Sequence, residues 1–227
     1  ATYIKVYGAI GFCLFLFYPD KIKFILYAIL WSVVLFVLPL IVTPMQTLLW
    51  QYQNWLTLMK ADATEAVGLS VAGVLRSWFG LRNVMAYITL GGMVLFLVPF
   101  ARIKMYSNEV FRLLILASML IWVIIFNHKA ESSTYIIAVP GVCIWYYAMP
   151  KAKWRTVLLF TVLIFTCLST TDLFPPIVKR HFIYPYKIKT VPCILAWFAV
   201  FADLMLVSVG TRRRNPDNVA ETGSDSV

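Results

Sequence analysis

Asn127-His128-Lys129-Ala130-Glu131-Ser132-Ser133-Thr134-Tyr135 is a short polar hinge between two strongly apolar runs, residues 113–126 and 136–149. It gathers a histidine, a lysine and a glutamate where the flanking sequence favours hydrocarbon. A turn between two membrane helices needs only a few polar residues, so a plain solvated connector satisfies this spacing. A polar site at the membrane surface satisfies it too, with His128 and Lys129 meeting a charged ligand head and Glu131 orienting one of them. The rest of the chain has to discriminate.

Composition sets the class. Hydrophobic residues make up 61% of the 227 positions, charged residues only 13%, and the mean hydropathy is +0.81. Soluble domains lie near roughly 45–50% apolar and about 25% charged, so the chain reads as an all-α polytopic membrane protein. The net charge of +10 is carried in short clusters between apolar runs. That is the distribution demanded by topology and anionic lipid, and it argues against nucleic acid as the partner. Cys13, Cys143, Cys167 and Cys193 lie in or beside apolar segments without metal-ligand spacing, so no metal site is expected. The sequence starts with Ala inside an apolar segment and lacks a signal-peptide pattern, which reads as the C-terminal portion of a longer protein.

The apolar runs divide residues 1–210 into about seven membrane segments: 6–18, 24–43, 84–101, 110–126, 134–149, 156–171 and 191–210. Several are near 16 residues, thin for a hydrocarbon core of about 30 Å, so their ends draw on interfacial Trp and Tyr. Residues 44–83 read instead as external helices lying on the membrane. Leu48, Tyr52, Trp55, Leu56 and Met59 recur at helical spacing, and a second pattern runs through Leu69, Ala72, Leu75, Trp78 and Phe79. Residues 172–190, with Pro175-Pro176 and Pro185, are too proline-broken for one helix and form an external loop. Residues 211–227 are a polar, disordered tail.

If each run crosses once, the connectors alternate between two sides. Residues 20–23, 102–112, 151–155 and the Arg212–Arg213–Arg214 tail are short and rich in Lys and Arg. The positive-inside rule places these, and the C-terminus, in the cytoplasm. Residues 44–83, 127–133 and 172–190 face outward, and any chemistry belongs on that side. Lys179, Arg180, Lys187 and Lys189 run against the charge bias there, which points to a task such as holding a phosphate. Asp203, an acid inside the last apolar run, demands a partner and is read as a hydrogen bond to a neighbouring helix rather than a proton path.

The hinge 127–132 running into Tyr135-Ile136-Ile137-Ala138-Val139-Pro140 resembles the external loop of glycosyltransferase family 87, polyprenol-phosphate-sugar-dependent membrane transferases of the GT-C type. Residues 68–76 (Gly-Leu-Ser-Val-Ala-Gly-Val-Leu-Arg), Asp172-Leu173-Phe174-Pro175, Tyr184-Pro185-Tyr186 and Lys189 resemble further stretches of that family, and Lys5 stands where it carries a lysine entering an apolar segment. The resemblance implies transfer of a hexose, typically mannose, from a lipid-linked phosphosugar to an acceptor outside a bacterial plasma membrane. It implies no cofactor beyond that donor, and membrane lipid as the surroundings. His128, Lys129, Arg76, Lys179, Arg180 and Lys5 become candidates for the donor phosphate, supported by Glu131 and Ser70. The family's catalytic carboxylate lies in an early external loop that matches nothing here, so the base is expected upstream of Ala1. Two other classes fit the composition: a transporter or lipid flippase, for which only Asp203 offers an intramembrane charge, and a non-catalytic membrane scaffold.

Overall fold

A computed structural model describes residues 6–62, 68–81, 84–127, 130–169 and 171–208, and every regular element among them is helical. In chain order these are a 3-10 helix Val6–Phe17, α1 (Lys21–Val37), α2 (Met45–Asp62), α3 (Val71–Phe79), α4 (Met85–Leu97), α5 (Glu109–Ile125), α6 (Ala138–Ala148), α7 (Lys153–Val162), the single turn α8 (Pro176–Val178) and α9 (Val191–Leu206). Two of them run on as π-helix: α7 through Leu163–Leu168, and α8 through Lys179–Ile183. The all-α expectation holds. Residues 172–190 do not form one helix, but they are not all loop either: helix starts at Pro176 and runs to Ile183, where proline fits the first turn, and residues 184–190 are consecutive turns.

The chain divides into two compact units, residues 12–66 on one hand and residues 1–11 with 67–227 on the other. The boundary falls inside the stretch 44–83, separating α2 from α3. In the smaller unit, α1 and the 3-10 turn Leu38–Ile41 form an apolar helix of 21 residues with mean hydropathy 2.7 and nothing buried. At about 1.5 Å per residue it reaches about 30 Å, the thickness of a bilayer core. Among the described residues this is the one helix long and apolar enough to cross a membrane. The other apolar helices, Met85–Ala101, Ser133–Ala148 and Val191–Leu206, have 17 residues or fewer. Within this unit, the Tyr52 ring stacks on Phe36 at 4.3 Å and its hydroxyl donates to the Phe36 carbonyl at 2.6 Å. That tyrosine is therefore held by α1 as well as by its own helix.

The larger unit is built around α5. Its Asn108 side chain caps the helix by accepting from Phe111 N at 3.1 Å, and Glu109 adds a negative charge to the first turn. Val110, Phe111, Leu114, Ala117, Ile121 and Ile125 are all fully buried, against α6 on one flank and α9 on another. Small residues set those approaches. A Cβ on Gly141 of α6 would lie 2.8 Å from the Ala117 carbonyl oxygen, and one on Gly92 of α4 would collide with the Phe126 ring. Trp122 Nε1 donates to the Gly92 carbonyl at 2.9 Å, and Trp197 Nε1 to Ser118 Oγ at 3.0 Å. The indoles thus pack as hydrocarbon and still satisfy their N–H groups.

Hydrogen bonds from arginines gather at one end of this unit. There Arg102 donates to the carbonyls of Leu204, Met205 and Val207, the last at 2.7 Å, and so caps the C-terminus of α9. Arg155 lies at the same end, donating to Pro150 O at 2.9 Å and pairing with Asp203 Oδ1 at 2.8 Å. Asp203 Oδ2 accepts from Trp145 Nε1 at 2.7 Å. The acid in the last apolar run is therefore a structural partner to α6 and α7, as the sequence indicated.

Candidate functional site

The opposite end collects residues 68–70, the hinge after α5, and the turns 184–190. Leu69 N donates to the Ala130 carbonyl at 2.8 Å, joining the approach to α3 to the hinge. Tyr135, buried at the base of the hinge, makes 2.9 Å hydrogen bonds to the Leu69 carbonyl and to the Thr190 hydroxyl. Ser77 Oγ donates to Pro185 O at 2.5 Å and Trp78 Nε1 to Tyr186 O at 2.8 Å, tying α3 to the same turns. Lys187 adopts a left-handed backbone (φ 51°) and reaches across to donate to the Gly68 carbonyl at 2.9 Å. Its stem passes where Gly73 has no side chain: a Cβ there would meet Lys187 Cδ at 2.9 Å. Burial, then repulsion from Arg76, lowers the proton affinity of Lys187.

Between these connectors and the helices opens a cavity of about 810 Å³, lined by Glu131, Ser132, Tyr135 and Ile136 of the hinge, Val139 and Pro140 of α6, and Thr166 and Cys167 of the π-helix, with Lys189. The π-turn matters to that lining. One extra residue in the turn shifts the register of the side chains beyond it, and such turns recur where a helix bears functional groups. Here Thr166 Oγ1 donates to the Lys189 carbonyl at 3.0 Å and holds the lysine's backbone against α7.

Lys189 is the distinctive group. The residue is 5% exposed, and its ammonium donates to Ser132 Oγ at 2.6 Å and lies 5.8 Å from the centre of the Tyr135 ring. No carboxylate among the described residues pairs with it. Burial holds its proton affinity below the ordinary lysine value, partly offset by the Cys167 and Cys193 thiols. A buried ammonium with one neutral partner is a poor way to stabilise a fold, and an anion arriving in the cavity would complete it.

The residues singled out from sequence fare unequally. Glu131 lines the cavity. Ser70 does not: its Oγ accepts from Gly73 N at 3.2 Å as the N-cap of α3, and the side chain is spent there. Lys179 donates to Thr171 O at 3.1 Å and lies 3.5 Å from the exposed Asp172 carboxylate, away from the cavity lining. Arg76 and Arg180 are exposed at this end and line no part of the cavity. Lys5, His128 and Lys129 lie outside the described residues. Among the described residues no cluster of His, Cys, Asp or Glu could hold a metal ion.

Comparison with protein-family models, with curated proteins and with solved structures returned no match. The site therefore has to be read from its own chemistry. In sequence Lys189 stood among four cations in the loop 172–190 and within the resemblance, but not among the candidates for the donor phosphate. Charge pattern could not separate it from Lys179, Arg180 and Lys187, because what distinguishes it is burial beside Ser132 and Thr166 from distant segments.

Proposed function

We propose that the chain is the donor-binding part of an integral membrane glycosyltransferase. It would move a hexose, mannose by the resemblance, from a polyprenyl-phosphate sugar to an acceptor on the external face. The observation that supports this reading is Lys189: a buried residue whose ammonium has no carboxylate partner among the described residues, lining a cavity with an apolar wall of Ile136, Val139 and Pro140. A lipid-linked phosphosugar is the ligand with matching parts. Its departing phosphate takes the ammonium and the Ser132 hydroxyl, and the prenyl chain follows the apolar side. Cation stabilisation of the leaving phosphate is needed most in the transition state, where negative charge develops on it.

The same reading places α4, α5, α6, α7 with its π-turn, and α9 in the bilayer as further crossings. It puts the cavity end on the outer face of a bacterial plasma membrane and the Arg102–Arg155 end in the cytoplasm. Outward apolar side chains on these helices support this, among them Leu90 (64% exposed), Val157 (66%) and Leu195 (53%), which water would solvate poorly. The helices are short for a bilayer core of about 30 Å, so the membrane would thin or the interfacial aromatics make up the difference. Asp203, the acid that a transport reading would draw on, is engaged by Trp145 and Arg155, which favours the transferase reading over it.

Lys189→Met tests the assignment, since it keeps the stem and removes the charge. Reconstituted full-length protein should retain radiolabelled polyprenyl-phosphate mannose, and the variant should bind it at least about tenfold more weakly, the cost of one charge-assisted contact. Equal retention by both proteins would dismiss the phosphate site.

A further inference from the structure

Ser132 and Lys189 come from distant parts of the chain, the serine from the end of the hinge and the lysine from just before α9, and both line the cavity. Ser132 stands at the N-cap position of the 3-10 turn Ser133–Ile136, yet its side chain makes no capping bond there. Its Oγ is engaged instead by the lysine's Nζ, 2.6 Å away. Lys189 has little freedom to withdraw. Thr166 Oγ1 donates to its carbonyl at 3.0 Å. The following residue is held as well, by Thr190 N donating to Lys187 O at 2.9 Å and by the 2.9 Å contact between the Thr190 and Tyr135 hydroxyls. No carboxylate among the described residues pairs with the lysine. Burial penalises its charged form, so this amine gives up its proton more readily than an exposed one.

A serine hydroxyl is a weak nucleophile until a neighbouring base takes its proton, and a desolvated lysine within hydrogen-bond reach is one such base. We propose that Ser132 and Lys189 form a serine–lysine dyad that cleaves an acyl ester, whose hydrocarbon chain lies along the apolar wall of Ile136, Val139 and Pro140. The 2.6 Å line between the two atoms serves in both directions. The charged lysine donates along it, and the free amine accepts the serine proton along it. The step balances. The Ser132 O–H bond breaks with its proton passing to Lys189 Nζ, and Oγ bonds to the acyl carbon. The bond from that carbon to the ester oxygen breaks, and the leaving alcohol takes its electron pair and the proton from Lys189. Water then attacks the acyl-serine, giving its proton to Lys189 and onward to Ser132 Oγ, and the carboxylic acid departs. The net reaction is ester plus water to acid plus alcohol. This activity goes beyond the donor reading and does not rest on it. Phosphate binding uses the charged ammonium, whereas only the dyad asks Lys189 to accept a proton.

The test compares wild type, Ser132→Ala and Lys189→Arg as full-length proteins in proteoliposomes. Wild type is treated with a decyl fluorophosphonate, which bonds to an activated serine oxygen as its P–F bond breaks, and the labelled residue is mapped by peptide mass spectrometry. Hydrolysis of p-nitrophenyl octanoate is followed by release of p-nitrophenolate. The label should fall on Ser132 and should stop hydrolysis once saturated. Ser132→Ala should hydrolyse the ester about 100-fold more slowly or worse. Lys189→Arg keeps a charge and hydrogen-bond donors but cannot serve as a base, so it should lose labelling and turnover by about 100-fold, the range for removal of a general base. Absence of the label from Ser132 in wild type overturns the dyad without reliance on any variant. Hydrolysis by Ser132→Ala within about threefold of wild type overturns it as well. Labelling of Lys189→Arg at the wild-type rate removes the lysine's role as base, since a merely structural lysine would be replaced by arginine without that loss. Retention of polyprenyl-phosphate mannose, measured on the same preparations, reports the donor site by itself, so either reading can fail alone.

Discussion

Substitution of Asp203 offers the sharpest test of the larger unit. Its carboxylate is buried, accepting from Trp145 Nε1 at 2.7 Å and Arg155 Nη2 at 2.8 Å, with side-chain exposures of 8% for the acid and 12% for the arginine. Replacing Asp203 by Leu removes one charge and strands the other. Breaking a buried pair from one side costs about 3–5 kcal/mol. The lower end applies here, because Arg155 keeps its bond to Pro150 O and its guanidinium lies 4.7 Å above the Trp154 ring. Arg155 Nε already lacks a partner, so it contributes nothing to the rescue. About 3 kcal/mol corresponds to roughly a 100-fold shift in the unfolding equilibrium. The double variant Arg155→Leu, Asp203→Leu should recover most of this loss, since an apolar pair of similar size needs no solvation. Unfolding in mixed detergent micelles, followed by tryptophan fluorescence, measures all four corners of the cycle. A coupling smaller than about 0.5 kcal/mol would show that Arg155 and Asp203 do not act as a pair, and the reasoning would fail.

Two further outcomes rest on the packing and on the buried lysine. Gly141→Ala should destabilise by about 1–3 kcal/mol, because the new methyl meets the rigid Ala117 carbonyl. Gly91→Ala, one helix away with nothing within 4 Å of the new Cβ, should be neutral or stabilise by about 0.5–1 kcal/mol in the same unfolding assay. For Lys189, burial lowers the folded proton affinity below the unfolded one, so between those two values the unfolded chain binds more protons. Stability should therefore rise with pH on approach to the ordinary lysine range. Lys189→Met should flatten that rise, and an unchanged slope would mean that Lys189 is not the group responsible.

The helical class was legible because composition and apolar periodicity are local properties. Runs such as 24–43 and 191–210 carry their hydrophobicity whatever they pack against. That residues 172–190 do not form one helix, and that a helix runs through Leu75 and Trp78, were legible for the same reason. Length is also local, and there the structure is more restrained than the count of apolar runs. Only Lys21–Ile41 combines the length and apolarity of a membrane crossing among the described residues. The other six apolar runs of the seven-segment reading are therefore proposed crossings, beyond what helix length and apolarity give.

The partnering of polar groups was settled only in three dimensions. Ser70 and Lys189 look equally available in sequence, yet a helix N-cap consumes the first, while the second is buried with its ammonium on the Ser132 hydroxyl. Asp203 could be recognised as needing a partner, because a charge in an apolar run is costly anywhere. That the partners are Trp145 and Arg155 depends on how α6, α7 and α9 cross. Hydrophobicity is carried by each residue alone, whereas the worth of a charge depends on what stands within a few ångströms of it. The sequence could therefore name the helices and the cations, and only the fold could say which cation is buried with no carboxylate partner among the described residues.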